Sequence, residues 1–483
     1  MNNKILKIIG GITLSSILFM SCEKDMSELN VDPKHPESVP SVNLVISSQQ
    51  YMADLWVSPS VNTNISRFYT QQWTEVQYVD ETNYNFVTRQ QPRNHYRTLM
   101  ADYLGPLNKA KIFLADEQES SSFSTADQAQ IKTNKIALIE IMSVFGWNNL
   151  VDTFGDVPYT EALSGDSGEL IVQPIYDDAA TIYADLVTRL NAAIASIDTS
   201  LPGYNDNIYH GDMAQWIKFA NTLKLQMGLN LSDVDAGTAK SLVESAVAGG
   251  VIVEEADNYQ YPYDDAIYSN PIYQNMDTGR DDFLPSDLYV NYMKNENDPR
   301  IASYFTTDPD GNYTGGVYGE LNPGFANFSH VTSRVQDPAY PGLIFDQLYT
   351  KYMLAEAAAR GFNVGDTAEN LYIEAISTSM EYWEVDAADA DAFIAAHPYD
   401  AANWKSSLGY AAWIGMYNRG IEAWYFFRRL DFPTLTVPGV ADGLVYRMPY
   451  SNDEYNQNGT NVEAAASAIG GDEYTTKLFW DAN

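Results

Sequence analysis

Residues 345–383 read FDQLYTKYMLAEAAARGFNVGDTAENLYIEAISTSMEYW and show the period of two amphipathic helices separated by a turn. Apolar residues recur at i, i+3, i+4 and i+7 on one face, namely at Phe345, Leu348, Tyr349 and Tyr352. A run of alanines allows close packing, and Gly361 is a typical helix stop. Because an amphipathic helix must bury one face, we interpret the apolar stripes as core. The segment therefore predicts a helix over 345–360 that pairs with a second helix over 368–383.

The same helical period recurs along most of the chain after Ser41. The predicted pairs are Ile131–Trp147 with Tyr176–Ile197, Asp212–Leu231 with Thr238–Val247, and Phe345–Arg360 with Ala368–Trp383. Paired helices of this length suggest stacked helix-turn-helix units of tetratricopeptide type, although the sequence shows no strict repeat. We therefore predict a mainly α fold, an αα-solenoid of tetratricopeptide-like helix pairs with a loop-rich insertion.

The insertion lies near residues 253–340, where the helical period fades except over Leu288–Lys294 and turn signals crowd together. A loop-rich segment of this size inside a globular chain is usually functional. Aromatic residues concentrate there, and a second aromatic cluster in a loop-like segment begins at Trp73. The stretch from Pro433 to the end is again polar, and we expect it to be irregular.

The first residues predict export and lipid attachment. Two lysines precede an apolar stretch from Ile8 to Met20, and Ser21-Cys22 follows, which is the pattern of a bacterial lipobox in which the cysteine is acylated. The polar, proline-containing stretch that comes next indicates an extended tether. We therefore expect a lipoprotein signal peptide over 1–21, a tether over 22–40 and a single domain over 41–483.

The composition excludes several classes of function. The chain carries 28 Lys and Arg against 64 Asp and Glu, a net charge of −36, so a nucleic-acid partner is not expected. The five histidines lie far apart, and no nucleophile motif, P-loop or dinucleotide fingerprint is present. Adjacent acids such as Asp264-Asp265 and Asp281-Asp282 have no spacing that singles out an acid and a base. We expect no enzyme activity, no cofactor and no metal ion.

Two charged motifs allow either a functional or a structural interpretation. The run from Asp308 to Asn312 resembles a fragment of a calcium loop, but its proline and glycine describe a type I turn that needs no ion. Arg428-Arg429 could recognise an acidic ligand, or could form a structural ion pair with aromatic stacking. The structural interpretation is favoured in both cases.

Several stretches together resemble SusD/RagB-type outer-membrane lipoproteins, most closely the SusD-like subgroup. They are Leu29–Pro33 (LNVDP), Asp152–Ala162 (DTFGDVPYTEA), Tyr352–Gly361 (YMLAEAAARG), Gly420–Trp424 (GIEAW) with Arg428-Arg429, and Lys477–Asp481 (KLFWD). Glu23-Lys24-Asp25, directly after Cys22, also resembles the surface-export signal of lipoproteins in Bacteroidetes-type bacteria. These stretches extend from the tether to the last residues, so the resemblance covers essentially the whole chain.

The resemblance implies a SusD-like fold with four tetratricopeptide-like helix pairs and an outer-membrane, lipid-anchored, cell-surface protein. It also implies a SusC-like TonB-dependent transporter as partner, to which the protein delivers oligosaccharides. Some relatives serve peptide import, so an oligopeptide-binding subunit is the alternative, and a purely structural lid on the transporter is a third hypothesis.

Sugar binding requires aromatic faces for stacking and fixed polar groups that bind hydroxyls. We expect the loops at 73–86 and 259–328 to converge on one exposed face. The candidate ligand-binding residues are Trp73, Tyr78, Tyr84, Tyr268, Tyr273, Tyr313 and Tyr318. Gln71-Gln72 could add an amide beside Trp73, or could serve only in packing.

Overall fold

The computed structural model describes residues 39–166, 170–276, 279 and 281–482. Residues Ser41–Asn483 form one compact unit. The predicted signal peptide, Cys22 and nearly all of the predicted tether lie outside the described residues.

The architecture is mainly helical. The α-helices are α1 (Ser41–Val57), α2 (Ser66–Tyr69), α3 (Gln91–Arg97), α4 (Gly105–Asp116), α5 (Thr125–Phe154), α6 (Ala179–Ser196), α7 (Met213–Asn230), α8 (Ala236–Gly249), α9 (Pro271–Met276), α10 (Asp287–Asn295), α11 (Ile301–Tyr304), α12 (Gln347–Ala359), α13 (Ala368–Tyr382), α14 (Ala387–Ala396), α15 (Trp404–Gly415), α16 (Gly420–Leu430) and α17 (Asn452–Ala468). A π-helix, Thr98–Leu104, joins α3 to α4. The prediction of a mainly α fold is confirmed.

Within the described residues, four strands form two small antiparallel sheets. They are β1 (Trp73–Glu75), β2 (Tyr259–Tyr261), β3 (Phe283–Pro285) and β4 (Gly342–Phe345). Strand β1 pairs with β3, and β2 pairs with β4. Strand β3 lies within the loop-rich insertion, so its pairing with β1 attaches the insertion to the N-terminal part of the domain. Strands β2 and β4 lie at the two ends of the insertion, so their pairing brings these ends together.

The predicted helix pairs are present, as α5 with α6, α7 with α8, and α12 with α13. A fourth pair of consecutive helices, α15 with α16, is also in contact. Side-chain caps set several starts: Asp346 accepts from the Tyr349 amide at the start of α12, and Thr367 accepts from the Asn370 amide at the start of α13. At the end of α12, Gly361 adopts a left-handed φ of +84° and the Phe362 amide bonds back to Ala357, as in a Schellman motif.

The C-terminal region differs from the prediction. It contains α17, which we expected to be irregular. The helix carries many polar residues, has a non-helical residue at Asn458, and buries only Asn458, Val462 and Ala465. Because so few apolar residues lie on the buried face, the helical period of hydrophobic residues is too weak to be recognised from the sequence.

Four of the stretches that resemble the SusD/RagB family meet in the core. The Arg428 side chain donates to the Asp152 carbonyl at 2.6 Å and lies 3.6 Å from the Trp424 ring centroid, while the Trp480 indole donates to the Asp152 carboxylate at 2.8 Å. Arg429 forms a fully buried ion pair with Glu356 at 2.8 Å. The structure therefore assigns this arginine pair to stacking and ion pairing inside the fold.

Candidate functional site: a loop surface around Tyr78

Strand pairing brings together two segments that are more than 200 residues apart. In β1 and β3, Trp73 pairs with Pro285 and Glu75 with Phe283. The contact continues past the strands, because the Asp287 amide donates to the Gly316 carbonyl at 2.8 Å. As a result, the loop at 76–88 lies beside the loop at 315–322.

Asn322 fixes the second loop to the first. Its backbone amide donates to the Val76 carbonyl at 2.9 Å, and its side-chain amide donates to the Glu75 carbonyl at 2.9 Å. Its side-chain oxygen accepts from the Val317 amide at 2.7 Å. A further bond runs from the Asn83 side chain to the Gly319 carbonyl at 2.8 Å. This network holds both loops in one arrangement.

A third segment adjoins these loops. The Thr436 amide donates to the Gln71 side-chain oxygen at 2.9 Å. Gly319 lies so close to Pro438 that a Cβ there would be 3.1 Å from the Pro438 Cβ. The segment at 433–440 therefore borders the two loops.

Exposed apolar side chains cover the three adjoining loops. We call this set the Tyr78 surface, and its members are Tyr78, Val317, Leu321, Val437 and Val440. Tyr78 is 61% exposed and Leu321 is 66% exposed. Tyr78 is one of the ligand-binding residues predicted from the sequence, whereas the four aliphatic residues are not, since an aliphatic residue in a loop carries no signal that distinguishes an exposed position from a core position.

Three of the candidate aromatic residues lie inside the domain. Trp73 is 1% exposed, Tyr84 3% and Tyr318 5%. Trp73 stacks with Phe283, at 5.9 Å between ring centroids, and Arg67 lies over its ring. The Tyr318 hydroxyl donates to the Phe68 carbonyl at 2.6 Å, and its ring packs against Tyr84. These rings support the loops from beneath and have no face that a surface ligand can reach.

The neighbouring amides are also used within the fold. Gln71 and Gln72 are buried. The Gln72 side chain donates to the Met416 carbonyl at 2.8 Å, and Gln71 holds the 433–440 segment through Thr436. Both side-chain amides therefore hold segments of the chain together, as the interpretation of Gln71 and Gln72 as packing residues expects.

The other three candidates occupy different surroundings. Tyr268 is 48% exposed, on a loop in which the Asp264 carboxylate accepts the Ala266 and Ile267 amides. Tyr273 is half-buried on α9, and Tyr313 is half-buried just before the 315–322 loop. The Asn270 amide donates to the Pro338 carbonyl, so the Tyr268 loop is anchored to the segment before β4. Tyr313 is thus the member of this trio whose segment leads directly into the Tyr78 surface.

A buried acid pair lies at the base of the 76–88 loop. Glu75 accepts from both the amide and the hydroxyl of Thr82, at 3.1 and 3.0 Å. Burial, with a further contribution from neighbouring Glu81, raises the pKa of Glu75 to about 9. Arg89 lies 3.3 Å from the Glu81 carboxylate. Glu75 is therefore protonated at neutral pH and bonds to the loop as a neutral acid.

The run from Asp308 to Asn312, which resembles a fragment of a calcium loop, forms a turn in which the Asp308 carboxylate bonds to neighbouring groups of the same segment. The Asp308 carboxylate accepts the amides of Asp310 and Asn312 and the hydroxyl of Thr314. Across the part of the chain that the structure describes, no three His, Cys, Asp or Glu side chains gather as a metal site would require. Nor does any helix within the described ranges combine the length and apolar character needed to cross a membrane.

The sequence of this helical domain matches the model of a known family. The family is described as "Starch-binding associating with outer membrane" (SusD-like), and its profile matches residues 33–451. The chain therefore belongs to the SusD-like family. A comparison with curated protein sequences finds no match.

Solved structures share the fold over nearly the whole chain. A chitin-binding protein superposes with a TM-score of 0.80 at 23% identity, covering 92% of this chain and 100% of its own. A chitin-binding SusD homolog from Flavobacterium johnsoniae gives 0.75 at 24% identity, covering 92% and 98%. A SusD homolog from Bacteroides uniformis gives 0.73 at 23% identity, covering 91% and 99%. The expected SusD-like fold is confirmed.

Proposed function

We propose that this protein is a cell-surface lipoprotein that binds oligosaccharides at the Tyr78 surface and delivers them to a TonB-dependent transporter of SusC type. The observation that carries the proposal is the hydrogen-bonded joining of the 76–88 and 315–322 loops, on which Tyr78, Val317 and Leu321 are exposed. An exposed aromatic ring with apolar neighbours suits the C–H faces of sugar rings. The family description and the two chitin-binding structural relatives support a glycan as the ligand.

The role proposed is binding without catalysis. Glu75 and Glu81 are buried, and the Asp264 carboxylate is occupied by amides of its own loop. General acid–base chemistry on a glycosidic bond needs two carboxyl groups that reach the substrate. The Tyr78 surface itself consists of a tyrosine and four aliphatic residues, which suits it to stacking.

Glycan titration tests the ligand proposal. The mature, full-length protein, purified in detergent, is titrated calorimetrically with maltooligosaccharides, chitooligosaccharides and a peptide panel. Tyr78→Ala is expected to weaken glycan binding by about tenfold, which corresponds to about 1.4 kcal/mol of lost stacking. Tyr51→Ala is the matched control, because Tyr51 is also an exposed tyrosine but lies on α1.

Two outcomes would overturn the proposal. If the protein binds peptides and no glycan, the alternative of an oligopeptide-binding subunit is correct. If it binds a glycan with equal affinity after Tyr78→Ala and after Leu321→Ala, the ligand lies elsewhere. Tyr268→Ala, Tyr273→Ala and Tyr313→Ala then locate it among the remaining candidates.

Lipid attachment and delivery are tested separately. We propose acylation at Cys22, so Cys22→Ala is expected to move the protein from the membrane fraction to the soluble fraction. Affinity purification of the wild-type protein is expected to recover a large outer-membrane transporter. Recovery of the transporter without binding of any glycan or peptide would favour the structural lid.

A further inference from the structure

A cleft opens at the end of the 76–88 loop, where Phe86 and Val87 line it. It has a cavity volume of about 210 Å³ and lies between the segment from Phe86 to Arg93 and the segment from Pro449 to Tyr455, with Asp472 at its wall. Clefts for drug-sized ligands measure about 300–1,000 Å³, so a cleft of this size suits a smaller ligand. We call it the Arg93 cleft.

Apolar and aromatic side chains form one part of the lining. Phe86, Val87, Pro92, Pro449, Tyr450 and Tyr455 line the cleft. Tyr455 is partly exposed, and its hydroxyl donates to the Asp472 carboxylate at 2.8 Å. The same carboxylate accepts from the Tyr450 amide at 2.9 Å and from Arg447 at 2.6 Å. Asp472 therefore holds Tyr455 in place, so this ring is fixed before any ligand arrives.

A solvent-accessible ion pair forms the polar part of the cleft lining. Arg93 and Asp453 approach to 2.6 Å, and their side chains are 48% and 41% exposed. Arg93 also donates to the Gln90 side-chain oxygen at 3.0 Å. A guanidinium carries five N–H donors and a carboxylate accepts at two oxygens, so a pair that reaches solvent offers donors and acceptors side by side.

The charges in the cleft balance. Arg93 faces Asp453, and Arg447 faces Asp472. An anionic ligand would meet the Asp453 and Asp472 carboxylates, and a cationic ligand would meet the Arg93 guanidinium and the positive end of α17, which begins at Asn452. A neutral ligand with adjacent hydroxyl groups can bond to the pair without separating it.

We propose that the Arg93 cleft is a second carbohydrate subsite, which takes one uncharged sugar unit against Tyr455 and binds its hydroxyls through Arg93 and Asp453. This inference rests on the proposed function. The 76–88 loop borders both sites, with Tyr78 on one and Val87 on the other. The protein thus has two carbohydrate sites, and losing one leaves binding at the other.

Variants at each site distinguish binding at the Tyr78 surface from binding in the Arg93 cleft. The mature protein in detergent is titrated with glucose, N-acetylglucosamine, maltotetraose and chitotetraose, and with glucuronic acid and glucosamine as charged sugars. In a Tyr78→Ala background, Arg93→Ala and Tyr455→Ala are each expected to weaken the residual binding by tenfold or more. Arg97→Ala is the matched control, because Arg97 is also an exposed arginine of α3 and its nearest carboxylate, Asp102, lies 3.8 Å away.

The outcomes distinguish this inference from the proposed function. If Tyr78→Ala alone abolishes all glycan binding, or if Arg93→Ala acts no more strongly than Arg97→Ala, the second subsite is refuted while the proposed function stands. Tighter binding of glucuronic acid or glucosamine than of glucose would refute the neutral ligand. Binding of none of these sugars by the wild-type protein would refute both. Unchanged melting temperatures of the variants show that lost binding is not lost folding.

Discussion

Tyr318 illustrates what decides the role of a tyrosine in a turn-rich segment. Glycines surround it in sequence, yet its ring packs against Tyr84 and its hydroxyl bonds to the Phe68 carbonyl. A buried tyrosine needs a partner for its hydroxyl, and a carbonyl from 250 residues away provides one. Tyr78 has the same chemistry and remains exposed. The residue type alone therefore does not separate a support from a binding surface.

Glu75 leads to a prediction for the pH dependence of stability. Its pKa is about 9 in the folded protein, above the ordinary value of 4.5. Between these values the folded state holds more protons than the unfolded state, so the free energy of unfolding falls as pH rises from about 4.5 to about 9. Glu75→Gln removes this dependence. At pH 7 it is expected to stabilise the protein by on the order of 3 kcal/mol, with no gain below pH 4.5.

Urea unfolding of the wild-type and Glu75→Gln proteins at pH 4.5, 7 and 9 checks this prediction. Glu320→Gln, on the neighbouring exposed loop, controls for the loss of a surface carboxylate. Parallel curves for the wild type and Glu75→Gln across the whole range would contradict the assignment of a neutral Glu75.

At the scale of elements, the 315–322 loop is held by close backbone contact. A Cβ on Gly315 would lie 2.5 Å from the Ser286 carbonyl oxygen and 2.6 Å from the Asp287 amide. Both atoms belong to the backbone at the start of α10, where they cannot move aside as a side chain can. Glycine at this position therefore permits the junction between β3, α10 and the loop.

Gly315→Ala is expected to push the loop away from α10. We expect a loss of about 1–3 kcal/mol in stability, as for other overpacked positions, together with weaker glycan binding at the Tyr78 surface. Gly459→Ala is the control, since a Cβ there meets nothing within 4 Å and the residue lies in α17. Calorimetry for binding and thermal unfolding for stability provide the measurements, and normal binding by Gly315→Ala would show that the loop position does not matter.

At the scale of the whole molecule, four of the family stretches contribute to the core, and the Tyr78 surface lies outside it. Asp152, Arg428 and Trp480 join three of these stretches, and the buried pair of Glu356 and Arg429 joins a fourth. Removing one partner of such a pair typically costs about 3–5 kcal/mol. These four stretches therefore stabilise the scaffold, whereas the Tyr78 surface lies on loops at its periphery.

The net charge of −36 leads to a prediction for salt dependence. Like charges on a compact domain repel, and the Debye length shortens from about 30 Å at 10 mM salt to about 8 Å at 150 mM. We expect the melting temperature to rise by roughly 2–4 °C over that range of NaCl. A neutral osmolyte at equal osmolality is the control. A melting temperature that falls with NaCl would mean that favourable ion pairs outweigh the repulsion.

The sequence by itself determined the helical pairs, because each amphipathic helix must bury a face and its period is set by residues only a few positions apart. It also located the two aromatic loops, but it did not find α17, whose polar surface hides its narrow apolar stripe. Only the tertiary structure decided which aromatic residues face solvent. Trp73, Tyr84 and Tyr318 are buried by β3, by Phe68 and by each other, while Tyr78 is not. Exposure depends on segments hundreds of residues apart meeting in space, and no local pattern encodes that meeting.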